Sequence, residues 1–461
     1  MRRLLLLFAL ILILGVLGAN PQAELACFKV RPRSPAKKHT QLEAAAHQYL
    51  ELLIKGGTDK QMEEAWAELT QIHKQLNITD PLEDWYRTLA GYDGIVFKDV
   101  TAELGLADLQ HFRIAIADYD NDGWLDLLFD GCHLYRNEEG LRFADVTDSV
   151  GLTEHHASCG VWADFNQDGY LDFVSTSYDG DGRGDSLMKN HQNQRFYRVN
   201  ERAGDIADDI PSLSAAWIDI DGKGFPSLYV EKSTEQGGYY NRFWHNTAGY
   251  FKEGDPELSA KAAEIIIQQH FANTDNWDEL KGSGLYFAPL WADFDNDGLM
   301  DLFVNSLYET ERRYLYRNNG DGSFTDVSFL SGVWRYDSWG YACGDLNRDG
   351  LLDLVVGSGN GTRVLYNVTN SPNKSLFVKP VWQDGEIVFL DDPALYPQRP
   401  NSPAYGTKVA VTLTMPDGSQ NTLMRELNST FGSYSQNAPE LHFGLGQAST
   451  WNVERAYNEE D

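Results

Sequence analysis

One short acidic phrase recurs along the middle of the chain and limits its possible folds more than any other feature. Four copies read ADYDNDGWLDLLF from Ala117, ADFNQDGYLDFVS from Ala163, ADFDNDGLMDLFV from Ala292 and GDLNRDGLLDLVV from Gly344. A degenerate copy, IDIDGKGFPSLYV, begins at Ile218. Each copy places an Asp-rich turn with a glycine beside a short apolar run, which is typical of a tight loop that joins two β-strands.

Two further phrases recur around the acidic one. FKDVTAELGL at Phe97 returns as FADVTDSVGL at Phe143 and as FTDVSFLSGV at Phe324, and LYRN occurs at Leu134 and Leu315. The acidic loops, which we number one to five, begin 46 to 74 residues apart. Repeats of this length with short strands and turns are typical of four-stranded propeller blades. We therefore predict an all-β fold, a β-propeller of five to seven blades over residues 95–370.

The longest interval between loops has a local explanation. Asp255-Pro256 is followed by LSAKAAEIIIQQHF, which predicts an N-cap, a proline at the first helical position and then a helix. We interpret residues 250–284 as an insertion between strands. The residues two positions before each loop should share one sheet face and pack between blades. They are Ile116, Trp162, Trp217, Trp291 and Cys343.

The acidic loops predict calcium sites. They follow Asp-x-Asp-x-Asp-Gly-x-x-Asp, in which Asn sometimes replaces the second Asp, and hard oxygen ligands in a tight ring suit Ca²⁺. Position 12 is not Glu and the flanks favour strands, so the loops are not EF-hands. We expect about four calcium ions, bound by the side chains at positions 1, 3, 5 and 9 and the carbonyl at position 7. The predicted ligands are Asp118, Asp120, Asp122, Trp124 and Asp126 in loop one, Asp164, Asn166, Asp168, Tyr170 and Asp172 in loop two, Asp293, Asp295, Asp297, Leu299 and Asp301 in loop four, and Asp345, Asn347, Asp349, Leu351 and Asp353 in loop five.

Loop three departs from this pattern. It keeps Asp219 and Asp221, but Lys223 stands at position 5 and Ser227 at position 9. A lysine ammonium can take the place of the ion, so we expect no calcium in loop three.

The N-terminal part of the chain has a different character. Residues 1–19, MRRLLLLFALILILGVLGA, have the charged start, apolar run and small residues of a signal peptide, or form a membrane anchor if they are not cleaved. In both cases the folded part lies outside the cytoplasm, whether secreted, periplasmic or at the cell surface. Residues 36–92 show apolar residues at helical spacing and predict a helical hairpin that ends before Pro81.

Composition excludes several functional classes. The chain has 461 residues, of which 68 are acidic and 38 basic, and its formal net charge is −30. Such a surface repels phosphate backbones, so we expect no nucleic-acid partner. Four cysteines are too few for a disulfide scaffold, although Cys132 and Cys159 lie in adjacent repeats and could pair in an oxidising compartment.

The repeats at 95–370 resemble the FG-GAP and VCBS repeats of integrin-α-type propellers. GTKVAVTL from Gly406, PDGS from Pro416, RELNSTFGSYSQ from Arg425 and ELHFGLG from Glu440 resemble an ASPIC/UnbV domain, known from the cartilage acidic protein family and its bacterial relatives. The resemblance implies a secreted, calcium-binding propeller followed by a small β domain at 376–446, without established catalysis. The chain lacks an EGF-like module and the Trp-Pro-x-Gly strand usual in the family, so we expect residues 447–461 to be a tail.

Two functional hypotheses follow. The first is a non-catalytic binding or adhesion module for an extracellular protein or glycan, with membrane contact only through an uncleaved N-terminal segment. No Gly-x-Ser-x-Gly, His-Glu-x-x-His or Walker loop occurs in the sequence. The alternative is a propeller-based polysaccharide hydrolase or lyase in which His111, His155 and His156 face a central pocket. The tripeptide Arg183-Gly184-Asp185, known from integrin recognition, is interpreted as an accident of a Gly/Asp-rich turn.

Overall fold

The computed structural model describes two units, Met1–Ala90 and Gly91–Asp461. Within them it describes residues 35–56, 58–178, 184–204, 206, 210–233, 239–254, 256–271, 286–306, 313–334, 338–392, 396–397, 401–429 and 435–456. The signal peptide or anchor predicted at residues 1–19 lies outside the described residues.

The first unit is helical. It contains α1 (Pro35–Lys55), α2 (Asp59–Leu76) and α3 (Leu82–Ala90). A capping box between Thr58 and Gln61 starts α2, and Asn77 ends it in the left-handed conformation with a φ of 53°. The predicted hairpin ended before Pro81, but α3 follows that proline, which is suited to the start of a helix because it needs no amide donor there. No helix among the described residues is long and apolar enough to cross a membrane.

The described residues of the second unit form five antiparallel sheets of four strands, which we number I to V. Each of loops one to five joins the first and second strands of the sheet with the same number. Sheet I contains β2 (Ile114–Ala117), β3 (Asp126–Phe129), β4 (His133–Glu138) and β5 (Arg142–Asp145), and sheet II contains β6 (Cys159–Ala163), β7 (Asp172–Thr176), β8 (Ser186–His191) and β9 (Arg195–Arg198). Sheet III contains β10 (Ser212–Ile218), β11 (Ser227–Ser233), β12 (Tyr239–Thr247) and β13 (Tyr250–Glu253), and sheet IV contains β14 (Tyr286–Ala292), β15 (Asp301–Ser306), β16 (Tyr314–Asn318) and β17 (Phe324–Asp326).

Sheet V is assembled from distant parts of the sequence. It contains β18 (Gly340–Gly344), β19 (Asp353–Gly357) and β20 (Arg363–Asn367), and its fourth strand is β1 (Phe97–Asp99), which pairs with β20. The first and last strands of the repeat region therefore close one sheet together. The helix predicted in the insertion is α4 (Pro256–Phe271), and the short α5 (Ser328–Ser331) follows β17.

Neighbouring sheets pack through large apolar side chains. Trp162 on β6 is fully buried and its indole N–H donates to the carbonyl of Ala115 on β2. Trp217 on β10 donates in the same way to the carbonyl of Val161 on β6. Apolar clusters also join sheet I to sheet V and sheet V to sheet IV. The described sheets thus follow one another in the order IV, V, I, II, III.

Four buried asparagines form hydrogen bonds between sheets that are neighbours in this order. Each stands near the end of a third strand and donates through Nδ2 to the carbonyl at position 2 of the loop in the adjacent sheet. We call them clasp asparagines. Asn137 donates to Leu346, Asn190 to Tyr119, Asn246 to Phe165 and Asn367 to Phe294. In the part of the chain that is described, no such bond joins sheet III to sheet IV. There α4 packs Ala262 against an apolar cluster of sheet III.

The C-terminal part forms two sheets of three strands. Their strands are β21 (Lys374–Gln383), β22 (Glu386–Leu390) and β25 (Leu441–Gly446) in one, and β23 (Lys408–Thr414), β24 (Gln420–Glu426) and β26 (Thr450–Arg455) in the other. The tail predicted at 447–461 is therefore corrected, because β26 pairs with β23 and Val453 packs on the apolar core of this domain. The sequence of β26 departs from the family pattern, but it still forms a strand because backbone hydrogen bonds to β23 and the inward side chain of Val453 hold it in the sheet.

Candidate metal centres in the blade loops

All five acidic loops share one hydrogen-bonded turn. In loop one the two oxygens of Asp118 accept the amides of Asp122 and Gly123, at 3.0 and 3.1 Å. Asn121 and Gly123 take left-handed conformations, with φ of 62° and 94°. Glycine tolerates that region best and Asn better than most residues, which explains the Asn-Asp-Gly sequence of the turn. The first Asp of the other loops makes the same pair of bonds.

The residues predicted at position 7 contact the site through their amides. The N–H groups of Trp124, Tyr170, Leu299 and Leu351 donate to the carboxylate at position 5 of their loops. This bond fixes the position-5 carboxylate inside the turn. The carbonyl ligands assigned to these four residues stay a prediction.

The carboxylate at position 9 links the loop to the rest of its sheet. Asp126 is fully buried, and its oxygens accept the amides of Asn137 and Tyr119 at 2.8 and 3.0 Å. Asp301 and Asp353 make the equivalent two bonds. In loops one and five this residue therefore holds a clasp asparagine, whereas in loop four it holds Asn318.

In three loops the carboxylates converge within 4.8 Å of one another. The converging groups are Asp118, Asp120 and Asp122, then Asp164, Asp168 and Asp172, then Asp293, Asp295 and Asp297. Among the predicted ligands, four have a buried side-chain oxygen without a hydrogen-bond partner, and they are Asp120, Asn166, Asp172 and Asp295. Asn121 and Asn296, at position 4 of their loops, also have one. Buried anionic oxygens without donors are unfavourable unless a cation meets them, so these donor sets fit a hard divalent cation.

Burial also raises the pKa values of these carboxyls. Desolvation, together with the neighbouring carboxylates, raises the pKa of Asp118 to about 6 and that of Asp120 to about 7. The same causes raise the pKa of Asp293 to about 7 and that of Asp301 to about 8. Without a cation these carboxyls therefore bind protons at a higher pH than ordinary carboxyls do, and a cation competes with those protons.

Loop five keeps the turn but differs in its acidic set. Asn347 donates to Asp349 at 2.9 Å, and burial raises the pKa of Asp345 to about 7. Among the described residues, the carboxylates of this loop do not form one of the groups that converge within 4.8 Å. Its calcium ion therefore remains a prediction.

Loop three replaces a metal ligand with an internal cation. Lys223 Nζ lies 2.7 Å from Asp221 Oδ2, and His245 lies 3.6 Å from the same oxygen. At position 9 the Ser227 hydroxyl accepts the amide of Asn246, as the Asp does in other loops. The turn therefore forms without an acidic residue at positions 5 and 9.

Basic residues that were not predicted from the sequence form ion pairs with carboxylates of two clusters. Arg317 donates to Asp295 at 2.7 Å and to Asp297 at 3.3 Å, and Lys189 pairs with Asp168 at 2.8 Å. Both residues directly precede the asparagine that ends the third strand. The signal was present in the recurring LYRN phrase, because alternation turns its Arg to the side opposite the inward Asn.

The histidines proposed to face a central pocket have separate partners. His111 pairs with Asp130 at 3.0 Å and stacks on Phe129, while His155 contacts the hydroxyl of Ser175 at 2.6 Å. His156 is exposed. In the described part of the chain, no group of three metal-ligating residues within 4.8 Å contains a histidine.

The structure also shows the environment of the two cysteines of adjacent repeats and of the aspartate in the Arg-Gly-Asp tripeptide. Cys132 and Cys159 are buried thiols that do not form a disulfide with each other, and burial raises the pKa of each to about 11. Asp185 is buried and forms an ion pair of 2.7 Å with the buried Lys232. The carboxylate of the Arg-Gly-Asp tripeptide is thus turned inward, while Arg183 lies outside the described residues.

Comparison with known proteins agrees with this architecture. Residues 293–356 match the FG-GAP-like repeat family, and residues 397–453 match the family described as ASPIC and UnbV. The first match contains loops four and five, and the second extends into β26. A solved structure, the exotype rhamnogalacturonan lyase YesX, has a TM-score of 0.17 and 10% identity over 75% of each chain.

Similarity to whole proteins is more distant. Cartilage acidic protein 1 of Xenopus tropicalis is 29% identical over 39% of this chain and 26% of its own length, and that of Homo sapiens is 28% identical over 43% and 32%. Integrin alpha-7 of Mus musculus is 32% identical over 25% of this chain and 12% of its own length. The chain therefore spans about a third or less of these relatives. It carries an FG-GAP-like repeat and an ASPIC/UnbV domain, and it is a distant relative of cartilage acidic protein 1 and integrin alpha.

Proposed function

We propose that the chain is a calcium-binding propeller protein that acts outside the cytoplasm as a binding or adhesion module and catalyses no reaction. One observation carries the metal assignment. Three loops at equivalent places in three sheets bring carboxylates within 4.8 Å, with buried oxygens that lack donors. Calcium would bind to these oxygens and to those of loop five, and its role would be to hold the loops rigid.

The charge of the chain favours certain partners. A net charge of −30 favours a neutral glycan or a basic protein surface, and it disfavours nucleic acid. Contact with a membrane would come only through residues 1–19 if they remain attached. The long connections between strands are suited to partner recognition because loops tolerate variation without loss of the sheets.

The centre of the sheet arrangement supports a binding role over a catalytic one. Gln436 of the C-terminal domain exchanges backbone hydrogen bonds with β2, and its side chain bonds the backbone of Trp162 on β6. Asn437 and Ser429 bond the backbones of β18 and β10 in the same way. These residues bond edge strands of four sheets, which in the proposed propeller would border the centre, where a polysaccharide-cleaving enzyme would need its pocket.

Metal analysis of the purified protein tests the first part of the proposal. After gentle dialysis we expect about four calcium ions per chain, and at least three from the converging loops. One ion or none would contradict the calcium assignment.

A binding array and an activity screen test the second part. We expect calcium-loaded protein to bind selected glycans or basic proteins on an array, and to lose this binding when metal is removed. The same preparation is screened for turnover of polysaccharides, esters and phosphoesters. Turnover that disappears on mutation of His111 or His156, with the fold intact, would establish the enzyme alternative instead.

A further inference from the structure

The C-terminal domain lies directly on the edge of the sheets that carries the acidic loops. Asn401 donates through Nδ2 to the carbonyl of Asp118 in loop one, at 2.5 Å, and through its amide to Gly169 in loop two. The hydroxyl of Ser402 donates to Oδ2 of Asp164, the first carboxylate of loop two. Two adjacent residues of this domain thus reach two acidic loops.

Loops four and five meet the same domain. The amide of Gly446 donates to the carbonyl of Asn296 at 2.9 Å, and Asn373 donates to the carbonyl of Asp295 at 3.0 Å. In loop five the carbonyl of Gly350 accepts the Ser375 hydroxyl at 2.7 Å. The domain therefore contacts all four loops for which calcium is predicted.

The approach at loop four leaves no room for a side chain. A Cβ atom on Gly444 of β25 would lie 1.9 Å from Asp293 Oδ2 and 2.7 Å from the backbone of Asn296. The strand backbone itself covers the acidic loop. The carboxylates are consequently buried by a part of the chain that is 150 residues away in sequence.

The charges brought by the domain match the charges of the loops. Loops one and four each contain four Asp residues, and each faces a basic side chain of the domain, Lys379 near Asp118 and Arg425 near Asp293. Loop two has three Asp residues and faces the neutral Ser402. The domain thus adds a positive charge only where the loop carries one more negative charge.

A basic side chain on the third strand of the same sheet also lies near each of these loops. It is Arg136 for loop one, Lys189 for loop two and Arg317 for loop four. When these side chains and the domain's cations are counted against ionised carboxylates, two negative charges remain at loops two and four, and at loop one Arg348 offsets a further charge. One divalent cation makes the local formal charge of loop two or loop four zero. Without it, the docked domain covers uncompensated negative charge in a poorly solvated place, which is unfavourable.

We propose that divalent cations in loops one, two and four hold the C-terminal domain on the loop edge, so that cation binding and docking of this domain strengthen each other. This inference rests on the calcium-binding function proposed above. By thermodynamic linkage, the factor by which calcium raises the equilibrium constant for docking equals the factor by which docking raises the affinity for calcium.

Amide hydrogen exchange of the full-length protein tests the coupling, with calcium binding measured separately by calorimetry. In calcium, peptides from β21, β25 and residues 435–438 should exchange about tenfold more slowly than in metal-depleted buffer. Calcium binding with unchanged exchange in these peptides would overturn the coupling and leave the calcium function intact. Absence of calcium binding would overturn the calcium function, and the coupling with it.

Variants on the domain side test reciprocity. Asn401→Ala removes a contact to loop one but no predicted ligand, so it should weaken calcium binding about fivefold. Asn452→Ala, at an exposed position of the same domain where the side chain donates to Glu454, should leave the affinity unchanged. If Asn401→Ala does not fold, Asn373→Ala tests the equivalent contact at loop four. Wild-type affinity in the folded variant would overturn the coupling.

Discussion

At the scale of single residues, the five loops show which positions build the turn and which bind the ion. The first Asp accepts two amides in every loop, including loop three with its Lys223, so this residue shapes the turn whether or not a cation is bound. Among the predicted ligands, the buried oxygens without donors belong to positions 3 and 9, for example Asp120 and Asp172. Those positions therefore distinguish a metal site from an acidic turn.

Removing one position-5 carboxylate should reduce stability only when calcium is present. Asp297→Ala eliminates a ligand of loop four, and an ion at 100 times its Kd contributes about 2.7 kcal/mol to the folded state. We expect a lower melting temperature in calcium and a smaller difference between calcium and chelator. Asp221→Ala, at position 3 of loop three where no ion is predicted, is the control, and its calcium-dependent shift should equal that of the wild type. Equal shifts in both variants would show that loop four holds no ion.

The raised pKa values predict an unusual pH dependence for the metal-free protein. Burial raises the pKa of Asp120 and Asp293 to about 7, from about 3.9 in an unfolded chain, so the folded state binds more protons between these limits. Stability should therefore fall as pH rises from 4 to 7. His442, whose pKa burial lowers to about 3, and His133, whose pKa burial also lowers, act in the opposite direction, but the carboxyls with raised pKa values are more numerous.

Urea unfolding at pH 5 and pH 7.5 in metal-depleted buffer measures this dependence. Calcium should reverse the trend, because it binds the deprotonated carboxylates and its contribution grows with pH. A metal-free protein that is more stable at pH 7.5 than at pH 5 would contradict the raised pKa values.

At the scale of elements, the sheets are joined by polar bonds as well as by apolar packing. The amide of Asn190 donates to Tyr119 in the neighbouring sheet and to Leu171 in its own. Both carbonyls are out of reach of solvent donors when the sheets are packed. The clasp asparagine therefore fixes how one sheet follows the next, which apolar contacts alone do not specify.

Replacing a clasp asparagine should weaken the junction between two sheets. Asn190→Ala leaves two buried carbonyls without a donor, which costs about 1–3 kcal/mol for each unsatisfied group. Chemical denaturation should show this loss in calcium and in chelator alike. Asn319→Ala, in the exposed turn after β16, should change the unfolding free energy by less than about 0.5 kcal/mol. Similar losses in both variants would argue against the clasp.

At the scale of the whole molecule, the C-terminal domain is part of the sheet assembly. Gln436 is buried and joins three segments, since it pairs with β2 and bonds both Trp162 and the hydroxyl of Tyr405. One apolar cluster also contains residues of sheets II and III together with those of the C-terminal domain. The two parts should consequently unfold in one transition.

Gln436→Ala should destabilise the whole second unit. The substitution removes the acceptor of the Trp162 amide and a donor to its carbonyl, so we expect a loss of about 2–4 kcal/mol. Tryptophan fluorescence and amide exchange in sheet II should report the same midpoint as exchange in the C-terminal domain. Gln420→Ala, at an exposed edge position, is the control. A separate early transition of the C-terminal domain alone would contradict this integration.

The amino-acid sequence alone determined the local features. The spacing of Asp and Gly specifies the turn, because its hydrogen bonds and left-handed residues lie within six positions of Asp118. The repeat length predicted four-stranded sheets, and the helix α4 followed from its own apolar pattern. The β26 strand was missed, since its pairing with β23 depends on a partner 40 residues away and only Val453 marks its inner face.

Only the tertiary structure decided which loops gather their carboxylates and what lies over them. Loops two and five both have Asp at positions 1, 5 and 9 and Asn at position 3. Among the described residues, however, the carboxylates converge within 4.8 Å in loop two and not in loop five. The hydrogen bonds from Asn401 and Ser402, and the charges of Lys379 and Arg425, come from segments far along the chain. Burial, and with it the pKa of each carboxyl, depends on such distant neighbours, so no local pattern encodes it.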